Sequence, residues 1–205
     1  MIDFYTAATS NGQRVAITLE ELALPYRVHK LDLPKGDQKK PEYLAINPAG
    51  MIPAIVDHDG PGGTPLSLAQ SGAILMYLAE KSGKLLPADA ARRAVARQWL
   101  MQACTDCAAA SNAVFLSTNT VPEKSPANIE FFENRLLRFF RDANARLNGR
   151  DFLADELSIA DLALYPIYAA RKAVADRAGD LPNLTRWGAM MAARPAVMKG
   201  LALTA

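Results

Sequence analysis

Thr9, Ser10 and Asn11, followed by Gly12, group two hydroxyls and an amide immediately ahead of a run of helical periodicity. Side-chain and backbone donors at such a turn can surround a thiolate, with each hydrogen bond to the charged sulfur worth about 1.5–3 kcal/mol. A second grouping is Asn47-Pro48-Ala49-Gly50-Met51-Ile52-Pro53-Ala54-Ile55-Val56-Asp57. Ile52 precedes a proline and is pushed into an extended conformation, and Pro53 fixes φ and offers no N–H. The N–H and C=O of Ile52 can then pair with an extended ligand as a strand edge would. A third is Gln70-Ser71-Gly72-Ala73-Ile74, where a helix with apolar residues at Ile74, Leu75 and Leu78 begins. Unpaired N–H groups and the positive dipole end make that start a carboxylate site, with Ser71 and Gln70 as further donors. Together the segments suggest a pocket for a small anionic peptide. The alternatives are structural: a loop-to-strand turn at Pro53, and helix capping at Ser71 and in the Thr9–Asn11 turn.

The elements that must position these residues are legible from periodicity. Ile2 to Tyr5 reads as a strand, and Val15, Leu19, Leu22 and Ala23 recur at helical spacing until Leu24-Pro25 stops the pattern. A strand from Tyr26 to Leu31 follows, so the run implies a parallel pair with a right-handed crossover. The polar loop Lys35 to Lys40 and a short helical stretch around Tyr43-Leu44 lead to two strands, near Ala54 to Val56 and Leu66 to Leu68. The turn Gly60-Pro61-Gly62-Gly63 joins them as an antiparallel hairpin. The helix from Ser71 ends at Ser82-Gly83, and Lys84 to Ala88 reads as a linker. The remainder lacks strand alternation, with helices expected near Asp89 to Leu116, Pro126 to Leu147, Ile159 to Val174, Leu184 to Ala193 and from Pro195. Ser158-Ile159-Ala160-Asp161 reads as a capping box with Asp in place of the usual Glu or Gln, assigned to folding.

Composition narrows the function classes. With 23 basic and 21 acidic residues among 205, the net charge of +2 is too balanced for an electrostatic nucleic-acid footprint. No apolar run approaches a bilayer span, and Met1-Ile2-Asp3-Phe4-Tyr5 lacks the layout of a signal peptide, so the expected location is the cytoplasm, with no membrane partner. Two cysteines, Cys104 and Cys107, cannot make a secreted disulfide framework. A zinc reading of that pair needs two more ligands, and the two histidines, His29 and His58, are distant in sequence, so no metal is expected. Their i, i+3 spacing on a helix suits buried packing. Tyr5, inside the first strand, is read as packing rather than as an activating phenol. Trp99, Phe115, Phe131 and Phe132 are read as core, with a substrate pocket or an interface as the alternative.

The spacing of the 47–57 and 70–74 segments within the first eighty residues resembles the glutathione-binding domain of the glutathione transferase superfamily. The resemblance implies an α/β plus all-α fold: a thioredoxin-like glutathione-binding domain over 1–83, a linker over 84–88 and an all-helical substrate and dimerisation domain over 89–205. It makes the thiolate that of glutathione, a cosubstrate. A cysteine-like thiol has a pKa of about 8.5. Lowering it by roughly two units takes about 2.7 kcal/mol, more than the roughly 0.3–1 kcal/mol of a helix N-terminus. One well-aimed donor among Thr9, Ser10 and Asn11 could supply the remainder.

The Thr-x-Asn-Gly turn resembles the bacterial nu-like subgroup, related to fungal Ure2-like proteins, which ranks Thr9 and Asn11 above Ser10. Ser10 falls about where beta-class enzymes place a cysteine. By the same resemblance Gln38 and Lys40 hold the glycine end of glutathione, Ile52 with Pro53 pairs with its cysteine backbone, and Gln70-Ser71 holds its γ-glutamyl end; a solvated loop is the alternative for Gln38 and Lys40. Two departures stand out. Gln70 replaces a common Glu, removing a charge that would meet the ligand's ammonium. Phe131 stands where a basic residue from a neighbouring subunit is expected, with Arg135 and Arg138 a turn or two later. The implied functions are glutathione transfer to a small electrophile, glutathione-dependent reduction of a small disulfide, or non-catalytic glutathione binding in a regulatory or interaction protein. A homodimer burying the faces of the Ser71 and Asp89 helices is the implied assembly.

Overall fold

The structure, a computed structural model, describes residues 1–204. The chain divides into two compact units, Met1–Lys84 with the C-terminal stretch from Ala193, and Leu85–Ala192.

The first unit is built on β1 (Ile2–Thr6), α1 (Ser10–Leu22), β2 (Tyr26–Lys30), α2 (Pro41–Leu44), β3 (Ala54–Asp57), β4 (Leu66–Ala69) and α3 (Ser71–Ser82). The strands form one sheet in the order β2-β1-β3-β4, with β1 and β2 parallel and the other neighbours antiparallel. This is the thioredoxin-like arrangement expected for 1–83. Alternation along β1 buries Ile2 and Phe4, which join Ala54 and Ile55 of β3 and Ile74, Leu75 and Leu78 of α3 in the core. α1 ends where Ala23 turns left-handed at φ 51°, and Leu24 N–H closes back on Leu19 at 3.2 Å.

The last helix, Pro195–Thr204, departs from the division at 89–205, because it belongs to the first unit. A Cβ at Gly200 would stand 2.7 Å from the backbone nitrogen of Ile17, so the absence of a side chain lets the C-terminal helix lie directly on α1. Arg194 reaches both oxygens of Glu21 at 2.6 and 2.9 Å, and Lys199 meets Glu20 at 2.7 Å. α1 is consequently buried at Val15, Ala16, Ile17 and Leu19.

The second unit is helical: α4 (Ala90–Gln102), α5 (Ala108–Phe115), α6 (Pro126–Arg146), α7 (Ile159–Ala170), α8 (Lys172–Ala178) and α9 (Pro182–Ala192). α4 and α5 join through a π turn at Ala103–Cys107, and a second π turn, Leu116–Thr120, extends α5, so the expected single helix near Asp89 to Leu116 is continuous but locally widened. Cys107 is buried in the first π turn and Cys104 half-buried. The expected helix from Ile159 to Val174 instead breaks at Arg171, φ −117°, whose guanidinium bonds the Ser111 hydroxyl and carbonyl at 3.1 and 2.9 Å.

The capping box is present, and its carboxylate organises more than the helix end. Asp161 accepts from the backbone N–H groups of Leu153 and Ser158 at 3.0 and 3.1 Å, from the Ser158 hydroxyl at 3.1 Å and from Trp187 Nε1 at 3.1 Å. It thereby ties α7 to the preceding loop and to α9. Burial pushes the Asp161 carboxyl up to about 6, against the pull of these donors.

Asp161→Ala should cost about 3 kcal/mol in denaturant unfolding, because several buried donors lose their acceptor together. The folded-state pKa lies above the usual carboxylate value, so the native state binds the extra proton between about pH 6 and 4. The contribution of this group therefore grows as pH falls through that window. Wild type should gain stability relative to Asp161→Asn between pH 7 and pH 4; a pH-independent difference would refute the assignment.

Candidate active site

Sheet register brings the sequence-selected segments to one end of the first unit. Tyr5 of β1 pairs with Ala54 of β3, and Ala54 pairs with Ala69 of β4. The chain leaves that row toward Thr9 from β1, enters it from Ile52-Pro53 at β3 and leaves it toward Gln70 from β4. With roughly 4.8 Å between neighbouring strands, the three segments start within about 10 Å of one another. Thr6 pairs with Lys30 at the end of β2, and Leu31 N–H bonds the Thr6 carbonyl at 2.8 Å, so the loop that carries Gln38 and Lys40 departs from the same end.

At the first turn Thr9 is the N-cap of α1, its Oγ1 accepting from Gly12 N–H at 3.1 Å. This is the capping role that the sequence left as an alternative, yet it does not exhaust the hydroxyl, which retains one proton to donate. The cap holds the oxygen at the positive end of α1. Asn11 is exposed, and Ser10 is half-buried and engaged in a contact within the fold. Gly12 has a steric reason: a Cβ there would stand 2.6 Å from the Ala7 carbonyl oxygen. Tyr5 stacks on His29, ring centroids 4.5 Å apart, and burial raises its pKa, the opposite of what an activating phenolate requires.

Ile52-Pro53 joins the edge of the row through a cis bond. The carbonyl just before it, that of Met51, accepts from the Tyr43 hydroxyl and from Asn47 Nδ2, both at 2.6 Å. Gln70 enters α3 at φ 69°, ψ 109°, with no side-chain cap, and its side chain is exposed. A non-glycine residue in that region is strained by about 1–3 kcal/mol, and such strain concentrates at ligand clamps. Ser71, 8% exposed, accepts a 3.3 Å hydrogen bond from Nη1 of the buried Arg14. Like Thr9, Ser71 has its oxygen used as an acceptor within the fold while its proton stays available for an anion.

The polar loop divides. Gln38 is half-buried, donating from Nε2 to the Leu33 carbonyl at 3.3 Å. Lys40 is exposed and paired with Asp37 at 2.7 Å, whereas the Lys39 ammonium lies over Gly50, 2.8 Å from where a Cβ would stand. Among the described residues no cluster of His, Cys, Asp and Glu could hold a metal ion, and no helix is long and apolar enough to cross a membrane. His29 and His58 both bond Asp3, at 2.9 and 2.6 Å, and hold its carboxyl below the usual range.

Two family models match the chain, the N-terminal domain of glutathione S-transferase over residues 9–81 and its C-terminal domain over 106–202. Disulfide-bond oxidoreductase YfcG of Escherichia coli (strain K12) is 38% identical over 203 residues, 98% of this chain and 94% of that protein. The chain belongs to the glutathione S-transferase family. Glutathione S-transferase GstB of the same organism is 32% identical over 93% of this chain and 92% of its own length. Among solved structures, a glutathione transferase from Pseudomonas putida with one glutathione disulfide bound per subunit has a TM-score of 0.91 at 36% identity, covering 98% of this chain and 90% of that one. A glutathione transferase from Burkholderia graminis with two glutathione molecules bound per subunit also has a TM-score of 0.91, at 37% identity, covering 98% of this chain and 87% of that one.

Within this glutathione S-transferase fold the sequence had not singled out Arg14, Lys39, Tyr43 or Asn47 for a role at the site. Arg14 is detectable in retrospect as one charge among buried apolar positions of α1. Tyr43 was placed only in a helix, and Asn47 only in the segment that carries Ile52. In the helical unit Trp99 is 8% exposed, as core packing requires, but Phe115 and Phe131 are 47% and 63% exposed, which leaves the pocket or interface alternative for those two.

Because the strain at Gln70 is local, Gln70→Gly should raise stability by about 1 kcal/mol in denaturant unfolding. A stability lowered by the full entropic cost of a glycine, about 0.5–1 kcal/mol, would show that Gln70 is held there without strain.

Proposed function

We propose that this glutathione-dependent enzyme acts chiefly as a disulfide-bond oxidoreductase of the nu-like, Ure2-like type, with conjugation of small electrophiles as a second reaction of the same thiolate. The observation that carries the reading is the Thr9 hydroxyl, fixed by the Gly12 N–H at the start of α1 with its proton free to meet a sulfur. Glutathione would lie across the three converging segments. Its cysteine backbone pairs with Ile52 beside Pro53, its γ-glutamyl carboxylate meets the α3 N-terminus and the Ser71 hydroxyl, and Gln70 meets the same end. Its glycine end reaches the loop with Gln38 and Lys40, and Lys39 is a further cation there.

The chemistry needs no protein cysteine. The thiolate of one glutathione attacks a sulfur of the disulfide, forming a mixed disulfide and releasing the other half as a thiolate, which takes up a proton. A second glutathione thiolate attacks the glutathione sulfur of the mixed disulfide, giving oxidised glutathione and a second released thiol. Two electrons pass from two thiols to one disulfide. Thr9 and Asn11 stabilise the attacking thiolate, and Ser10 lies close enough in sequence to substitute for either.

Supporting this type over an ordinary transferase is the similarity to YfcG and the Thr-x-Asn-Gly turn in place of the tyrosine, serine or cysteine of other classes. A homodimer is part of the proposal, and a monomeric mass by light scattering at micromolar concentration would refute that part.

Thr9→Ala and Asn11→Ala should each lower kcat/KM for glutathione-dependent reduction of a small disulfide by about 10- to 100-fold, one charge-assisted hydrogen bond apiece. Thr9→Ala should also cost about 1 kcal/mol of stability through the lost cap. The assay couples oxidised glutathione to NADPH through glutathione reductase, in parallel with conjugation of an aromatic halide. Unchanged reduction in both variants would remove these residues from the thiolate, and conjugation without reduction would make the chain an ordinary transferase.

A further inference from the structure

The Met51 carbonyl oxygen has both of its acceptor positions filled by buried side chains. Tyr43, 3% exposed, donates its hydroxyl and Asn47, 7% exposed, its Nδ2, each at 2.6 Å. The donors are themselves held. The Tyr43 ring meets Tyr5 of β1 at 5.8 Å, and burial keeps its hydroxyl protonated. The Asn47 turn is closed by Gly50 N–H on the Asn47 carbonyl at 2.9 Å and by Ala49 N–H on Asn47 Oδ1 at 3.3 Å.

The peptide between Met51 and Ile52 is trans, so its N–H points opposite to its C=O. Fixing the carbonyl toward Tyr43 and Asn47 therefore fixes the Ile52 N–H away from them. No acceptor meets that N–H among the described residues. A carbonyl that accepts two hydrogen bonds also polarises its amide, making the N–H a stronger donor.

We propose that Tyr43 and Asn47 are positioning residues that set glutathione affinity without touching it: they lock the Met51–Ile52 peptide so that the Ile52 N–H is presented, in one direction, to the cysteinyl carbonyl of the tripeptide. This rests on the reading of Ile52 given under the proposed function. A free carbonyl at Met51 would let the peptide plane rock, and each binding event would then have to restrict it.

Calorimetric titration of glutathione into wild type, Tyr43→Phe and Tyr43→Phe/Asn47→Ala tests the idea, together with the 15N–1H resonance of Ile52 in the ligand-free proteins. Tyr43→Phe keeps the ring and removes one donor. It should weaken glutathione about three- to tenfold and raise the KM for glutathione to match, while the KM for the disulfide stays put. The Ile52 amide proton should move upfield, further in the double variant. A merely structural role would lower the melting temperature and leave the Ile52 resonance and the ratio of the two KM values unchanged, which would overturn the proposal. Tyr43→Phe carries the test if Asn47→Ala fails to fold, since it leaves the Asn47 turn intact. Wild type that does not bind glutathione would refute the reading of the site and the ligand named here, whereas the Ile52 resonance would still report whether the lock exists.

Discussion

The antiparallel pairing of β3 with both of its neighbours is the constraint on which the site depends. β1 and β4 run one way and β3 the other, so the ends of β1 and β4 coincide with the beginning of β3. A segment that follows a strand and a segment that precedes one are thereby brought side by side, although forty residues separate Asn11 from Ile52. The register matters as much as the direction. A slip of one residue at β3 would send every side chain of the strand to the other face, setting Ile55 where Ala54 now packs, and would carry Ile52 away from the helix starts. Core packing of the sheet and presentation of the site are consequently one energetic problem, with the burial of Phe4, Ile55, Leu75 and Leu78 holding both.

On that frame the polar groups follow a common pattern. The fold uses the acceptor sides of the Thr9 and Ser71 hydroxyls and of the Met51 carbonyl, and leaves the two hydroxyl protons and the Ile52 N–H unused. Thr9 accepts from Gly12, Ser71 from Arg14, and the Met51 carbonyl from Tyr43 and Asn47. The carboxylates, carbonyls and thiolate of an anionic peptide are acceptors, so prearranged donors match those groups without reorganisation. The strained Gln70 belongs to the same pattern, since a relaxed residue there would enter α3 along a different direction.

Much of this frame was legible in the sequence because local rules carried it. Helical spacing gave α1 and α3, Leu24-Pro25 and Ser82-Gly83 their respective ends, the glycine-rich turn the hairpin, and Ser158 with Asp161 the capping box. What was not legible depended on distant partners. The break at Arg171 follows from a bond to Ser111, sixty residues away. Gly200 reads locally as a weak point in a helix, whereas its approach to Ile17, with the Arg194–Glu21 and Lys199–Glu20 pairs, seats the C-terminal helix on α1. Among the candidate site residues, Thr9, Ile52 and Gln70 were picked out by position relative to strand ends. Tyr43 and Asn47 were not, because a buried tyrosine in a short helix and an asparagine in a turn have ordinary local explanations; their shared acceptor exists only once the 41–51 stretch has folded back. Lys39 and Lys40 are adjacent in sequence and equivalent in composition, and only the pairing of one with Asp37 distinguishes them.

The neutrality of the donors around Thr9 suits the proposed reaction. Attack by a thiolate gains from a larger ionised fraction but loses intrinsic nucleophilicity as the pKa falls, and the optimum lies where the pKa approaches ambient pH. A cationic partner or a metal at the sulfur would drive ionisation further than exchange can use and would hold the thiolate against its transfer to the substrate sulfur. One well-aimed hydroxyl or amide donor together with a helix start supplies roughly 2–4 kcal/mol, which covers the roughly 2 kcal/mol that moving a thiol from about 8.5 to neutrality demands. The same donors can then follow the charge as it passes to the departing sulfur. The same tuning serves attack on a carbon electrophile, so donors of this kind permit both reactions and the choice between them falls to the pocket for the second substrate.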